Sequence, residues 1–159
     1  MADPDDQELL AYVEDVAGLF ARDGLPLITG RIIGWLMVCD PPEQSAQQIG
    51  QAIQASKASL STNMRVLTES GFVRTITRPG DRVTYYRIDD DAWLQITRRR
   101  LAALSGFRDV TAKGLRLLGE DSPRARRVRD AHEMFSWLDR ELTPLWDRWA
   151  EMRHKEKEP

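Results

Sequence analysis

The residues from Ser45 to Ile88 constrain this chain most, because helix starts, helix stops and strand residues follow one another there without a gap. Ser45-Ala46-Gln47-Gln48 has the form of a capping box, in which the Ser45 hydroxyl accepts from the Gln48 N–H and the Gln48 side chain reaches back to the Ser45 N–H. Ile49, Ala52 and Ile53 then give a short helix one buried side. Gln54 and Ala55 turn the chain, and Ser56 is placed to cap a second helix ending near Ser70, whose Leu60, Met64 and Leu67 recur at helical spacing. Gly71 stands where a helix closes on a left-handed residue. Phe72 to Thr77 and Arg82 to Ile88 are rich in β-branched and aromatic residues and read as strands, joined through Arg78-Pro79-Gly80-Asp81-Arg82.

Two helices across a tight turn, followed at once by a hairpin, make a winged helix-turn-helix. The expected fold is mainly α with a small β-hairpin wing, flanked by N- and C-terminal dimerisation helices. At about 100° per residue, the side of the second helix opposite Leu60, Met64 and Leu67 carries Ala58, Ser61, Thr62, Arg65 and Glu69. A solvated helix more often bears long Lys and Glu pairs, whereas this face is small enough to approach base edges. Ser56 and Lys57 are expected to hold phosphate near the helix N-terminus, Ser61, Thr62 and Arg65 to face bases or phosphates, and Arg78 and Arg82 to enter the flanking minor groove.

Charge is distributed to match. The net charge of the 159 residues is only -2, but residues 1–55 hold nine acids and two bases, and residues 56–88 hold six bases and two acids. A basic island confined to the second helix and the hairpin is the footprint expected if that part meets a polyanion.

Around this head the chain reads as helical, with residues 1–24 forming an N-terminal dimerisation helix, 25–90 the DNA-binding domain and 91–159 a C-terminal dimerisation region. Residues 1–6 are expected to be disordered. Leu9, Val13, Val16 and Phe20 share one side of a first helix from about Gln7 to Arg22. A second helix, from about Thr29 to Cys39, is apolar nearly all round, and Gly30 and Gly34 are expected to permit a close helix crossing. Asp89-Asp90-Asp91 offers caps for a long helix from Ala92 to Leu118, with a bend plausible at Gly106 and Gly114. Beyond the break at Gly119–Pro123, Val128, Ala131, Phe135, Leu138, Leu142, Leu145, Trp149 and Met152 alternate spacings of three and four, a heptad seam that asks for a partner helix. Dimerisation through Leu9, Val13, Val16 and Phe20 together with Phe135, Leu138, Leu142, Leu145 and Trp149 follows. Pro144 lies inside the seam and is expected to kink or break the helix near Glu141.

Several function classes are disfavoured. His132 and His154 stand apart from any zinc-ligand spacing and are expected at the surface. No glycine-rich phosphate loop, nucleophile motif or paired carboxylates stand out, so no enzyme, metal or cofactor is expected. Cys39, the single cysteine, lies in an apolar run and reads as a packed thiol. No segment has the length or composition of a membrane span or secretory signal, and the default location is cytoplasmic.

Three stretches together carry a resemblance to bacterial regulators of the MarR superfamily, and within it to the GbsR-type branch. They are Gly24-Leu25-Pro26 with Gly30-Arg31-Ile32-Ile33-Gly34; Ser56-Lys57-Ala58-Ser59-Leu60-Ser61 with Leu67-Thr68-Glu69-Ser70-Gly71-Phe72-Val73; and the segment from Met134 to Trp149. The likeness covers nearly the whole chain. One departure is Gln54, where such turns often have glycine. The resemblance implies a homodimeric transcriptional regulator, usually a repressor, that binds a palindromic double-stranded operator and is released by a small effector. Two-fold symmetry implies half-sites roughly 10 bp apart. Some GbsR-type relatives sense quaternary ammonium compounds, and Tyr12, Trp93, Trp137 and Trp146 are the aromatics expected to line such a pocket, although aromatics at helical spacing more often form core. A winged helix acting as a protein-interaction module, without specific DNA binding, is the alternative from a different class.

Overall fold

The computed structural model describes residues 6–119 and 122–157, with side chains described through Arg153. The element order is α1 (Asp6–Arg22), α2 (Leu27–Val38), β1 (Gln44–Ser45), α3 (Ala46–Ala52), α4 (Lys57–Glu69), β2 (Val73–Thr77), β3 (Thr84–Ile88), α5 (Ala92–Leu118), a 3-10 turn (Pro123–Ala125) and α6 (Arg126–Lys157). These elements divide into two compact units, Met1–Ala92 and Trp93–Pro159. The fold is mostly helical with a small antiparallel sheet, as the sequence leads one to expect. Among the described residues no helix is long and apolar enough to cross a membrane. The expected disorder of residues 1–6 lies outside the described residues except at Asp6, which opens α1.

In the first unit α1 and α2 pack at very close range. An alanine Cβ at Gly30 would lie 2.6 Å from the Ala17 Cα, and one at Gly34 would lie 3.1 Å from the Val13 Cα, so only glycine lets the two backbones meet. This contact accounts for Val13, Val16 and Ala17, all buried within the protomer, while Phe20 packs edge-on to Phe72 with centroids 6.4 Å apart. Val13, Val16 and Phe20 are therefore core residues of the unit, and little of their surface is left for a second chain: an apolar stripe has the same spacing whether it meets its own chain or another. Leu9 remains half-buried, and Leu10 and Leu19 are exposed. Cys39 is buried as expected, and burial pushes its thiol pKa up to about 11.

The α3 capping box forms as read, with Gln48 N to Ser45 Oγ at 3.2 Å and Ser45 N to Gln48 Oε1 at 2.8 Å. Helix α3 then ends in a Schellman closure, in which the Ala55 N–H donates to the Gly50 carbonyl at 2.9 Å and Gln54 adopts φ +51°. Gln54 thus takes the left-handed conformation that glycine would take without strain. Helix α4 closes the same way through Gly71, at φ +73°, with Phe72 N–H on the Leu67 carbonyl. The sheet has three strands, not the two of a simple hairpin, in the order β1-β3-β2: Val73 pairs with Ile88 and Thr77 with Thr84, while Gln44 and Ser45 pair with Tyr86 and Tyr85. Two residues show no alternation, so β1 has no sequence signature.

The second unit is a helical hairpin. Phe107 stacks on Phe135 with centroids 4.8 Å apart, and Asp139 accepts hydrogen bonds from Ser105 and Arg108. A Cβ at Gly114 would lie 3.1 Å from the Val128 side chain, which makes this glycine a packing residue, whereas Gly106 faces open space. His132 is half-buried rather than at the surface, with Nδ1 3.0 Å from the Thr111 hydroxyl and 3.2 Å from the Arg108 carbonyl. The side chain of His154 lies outside the described residues. Helix α6 runs unbroken through Pro144, so the expected break is absent: proline keeps a helical φ and forfeits one donor, which a long helix tolerates.

Candidate nucleic-acid interface

Helix α4 is held from beneath by its own apolar residues and by α2. Leu60, Met64 and Leu67 are buried, and the buried Thr29 hydroxyl donates to Asn63 Oδ1 at 2.6 Å, while Asn63 Nδ2 donates to the Ser59 carbonyl at 2.8 Å. Ser56 caps the helix, its Oγ accepting from the Ser59 N–H at 3.3 Å. With the inner face fixed this way, Ser56, Lys57, Ala58, Ser61, Thr62, Arg65 and Glu69 are all exposed. The Thr62 hydroxyl donates back to the Ala58 carbonyl, and Arg65 pairs with Glu69 at 3.1 Å one turn on.

Val66 joins this outward face, 47% exposed, and was not singled out from the sequence. At 240° from Leu60 it lies at the edge of the polar face, where a branched apolar side chain suits contact with a thymine methyl group. Its signal was available as an apolar residue off the buried stripe.

The hairpin tip divides its two arginines. Arg82 is exposed and has no ion-pair partner among the described residues, and the same holds for Lys57. Arg78 is engaged: its Nη2 donates to Glu43 Oε2 at 2.7 Å, and its guanidinium lies 4.2 Å over the Tyr85 ring. The Glu43 contact raises the Arg78 pKa further. Asp81 accepts from the Val83 N–H at 2.9 Å and from the Tyr85 hydroxyl at 3.0 Å; these bonds hold its carboxyl below the usual aspartate range and push the Tyr85 phenol up. Arg74 and Arg87 pair with Asp89 and Asp90, just beyond the basic window. The charge available to a polyanion is therefore narrower than the count over residues 56–88 suggests: Lys57 and Arg82 have no ion-pair partner among the described residues, and Arg65 is held only by the exposed Glu69 on its own helix.

The remaining sequence-derived residues lie elsewhere. Phe135, Leu138 and Leu142 are half-buried in the hairpin, whereas Leu145 and Trp149 are exposed. The four aromatics expected to line an effector pocket are divided between the two units. Tyr12 is in the first unit, its hydroxyl 3.9 Å from the Met37 sulfur, and Trp93 and Trp137 are exposed in the second. Trp146 stacks on Trp149, and the nine positions between Trp137 and Trp146 set them on opposite sides of α6, about 13 Å apart along its axis.

Known transcriptional regulators resemble this chain in sequence and in fold. A family model described as MmpR5-like MarR family transcriptional regulator matches residues 91–153, the α5–α6 hairpin. The HTH-type transcriptional regulator MmpR5 of Mycobacterium tuberculosis (strain ATCC 25618 / H37Rv) is 34% identical over 151 residues, covering 94% of this chain and 90% of that protein. A crystal structure described as that of a transcriptional regulator superposes with a TM-score of 0.70 at 33% identity, covering 91% of this chain and 99% of the other. The chain belongs to the MarR family of transcriptional regulators, in its MmpR5-like group.

Proposed function

We propose that this regulator is a cytoplasmic repressor that binds a palindromic operator as a homodimer, each subunit laying α4 in a major groove and the wing along the adjacent minor groove. The observation that carries this reading is the outward face of α4, small, polar and exposed, with Lys57 at its start and Arg82 at the wing tip. Ser56 serves the helix cap, and Lys57, Ser61, Thr62 and Arg65 meet the DNA, Arg65 exchanging Glu69 for it.

The dimer is supported by the second unit. Phe107, Val110, Leu145, Trp149 and Met152 are all exposed, and α6 has no fully buried residue among those described. Such faces ask for a partner helix pair. Release by a small effector belongs to the same proposal; the GbsR-type likeness adds to it only the chemical class, a quaternary ammonium ion on aromatic faces.

The test begins with duplex DNA selected by the protein from a random pool, with affinity measured across a salt series. A pseudo-palindrome with half-sites roughly 10 bp apart is expected. Arg65→Ala and Arg82→Ala dimers should bind more weakly and with a shallower salt slope. Binding by both at wild-type affinity and slope overturns the assignment, and wild-type protein that shows no salt-dependent binding favours a protein-docking module instead.

A further inference from the structure

Arg78 and Arg82 flank the same turn and carry the same charge, yet their surroundings differ. Arg78 is held from two sides, by the Glu43 carboxylate at 2.7 Å and by the Tyr85 ring at 4.2 Å. Tyr85 in turn donates to Asp81 at 3.0 Å, and Asp81 closes the turn by accepting from the Val83 N–H while its own N–H donates to the Arg78 carbonyl. The result is a ring of contacts at the wing tip, Arg78 to Tyr85 to Asp81 and back to the Arg78 carbonyl, with Glu43 holding it through Arg78 and the Arg82 side chain left outside it.

The anchor of this ring is not part of the wing. Glu43 immediately precedes β1, whose Gln44 and Ser45 pair with Tyr86 and Tyr85, and Ser45 is the residue that caps α3. The buried Gln44 side chain donates to the Pro41 carbonyl at 2.7 Å, which fixes the backbone on which Glu43 stands. The wing is thereby fastened to the start of the helix-turn-helix through residues 35 positions apart in the chain.

We propose that Arg78 is a positioning residue of the DNA-binding head, which braces the wing through Glu43 and Tyr85 so that Arg82 is presented to the DNA, and that Arg78 is not itself a phosphate or groove ligand. To reach DNA, Arg78 would have to give up both an ionic hydrogen bond and an aromatic face, while Arg82 gives up no ion pair. The proposal rests on the DNA-binding reading above and refines it.

The experiment compares wild type with Glu43→Gln, Arg78→Met, the double variant and Arg82→Met, all on the selected duplex across a salt series. For a brace, Glu43→Gln and Arg78→Met each weaken binding, by roughly three- to tenfold, the scale of ordering one or two side chains. Their salt slopes stay at the wild-type value, and the double variant is no worse than either single one because both act on the same contact. Arg82→Met lowers the slope by about 1 per subunit. A second readout without DNA is amide exchange at Val83, which should quicken in Glu43→Gln and Arg78→Met and stay unchanged in Arg82→Met. The proposal is overturned if Arg78→Met lowers the slope as Arg82→Met does, or if Glu43→Gln tightens binding by freeing Arg78. It falls together with the DNA-binding reading if wild type itself shows no salt-dependent binding, so the two failures are distinct.

Discussion

Replacing Gly30 by alanine tests the tightest glycine position among the described residues. The new methyl would stand 2.6 Å from the Ala17 Cα and 3.1 Å from the Ala17 carbonyl oxygen. Both are backbone atoms, so no side chain can turn aside; ordinary contact at 3.4 Å or more requires α1 and α2 to part by about 0.8 Å. A gap of that size forfeits a quarter to a half of the dispersion attraction across the facing surfaces, here those of the buried Val13, Val16 and Ile33. Overpacking of this kind costs about 3 kcal/mol at the unyielding end of its range, and the better helix propensity of alanine returns about 1 kcal/mol. The net expectation is a loss of about 2 kcal/mol, read as a fall of about 1 M in the urea midpoint with an unchanged slope. Gly18→Ala is the control, because nothing lies within 4 Å of its added methyl; it should be neutral or stabilising by up to about 1 kcal/mol. Thr29 lies beside Gly30 and holds Asn63 of α4, so Gly30→Ala should also weaken operator binding by displacing the recognition helix. A Gly30→Ala protein within 0.5 kcal/mol of wild type, measured at the same protein concentration, refutes the close-crossing argument.

Gln54→Gly relieves the left-handed strain at the α3–α4 turn and should stabilise the first unit by up to about 1 kcal/mol, since the strain removed exceeds the backbone entropy that glycine adds to the unfolded chain; a lower urea midpoint than wild type contradicts this. Cys39 should resist iodoacetamide at pH 8.5 in the native protein and react readily in denaturant, with mass spectrometry as the readout. The sign of its pH dependence follows from the raised folded-state pKa. The folded protein holds the Cys39 proton more tightly than the unfolded chain, so this contribution to stability is full below pH 9 and declines as pH rises from there toward about 11.

What the sequence disclosed was local. The capping box at Ser45, the cap at Ser56, the left-handed Gly71 and the bounds of α5 all depend on residues within a few positions of one another, and each is found where the pattern put it. What it withheld depends on distance along the chain. Val13, Val16 and Phe20 form an amphipathic stripe, and a stripe does not state which surface covers it. Glu43 and Arg78 are 35 positions apart, so no window of composition joins them, and a window closing at residue 88 counts Arg74 and Arg87 while missing Asp89 and Asp90. Trp137 and Trp146 show the limit of a list of aromatics: the same helical arithmetic that found the heptad seam places those two rings on opposite sides of α6.

The helical hairpin of the second unit has a thermodynamic meaning beyond its shape. Two helices that leave Phe107, Val110, Leu117, Leu145 and Met152 in solvent have little apolar burial of their own to offset the entropy of ordering them. What holds the hairpin from within is the stacked Phe107–Phe135 pair and the polar contacts of Asp139 and His132. If those faces close on a second copy, as proposed, folding and association become one equilibrium, and the abundance of the protein sets how much of it is ordered. Dilution would then do more than separate two intact subunits: it would loosen the scaffold that sets the spacing of two DNA-reading heads, making the regulator's response steeper than first order in its own concentration.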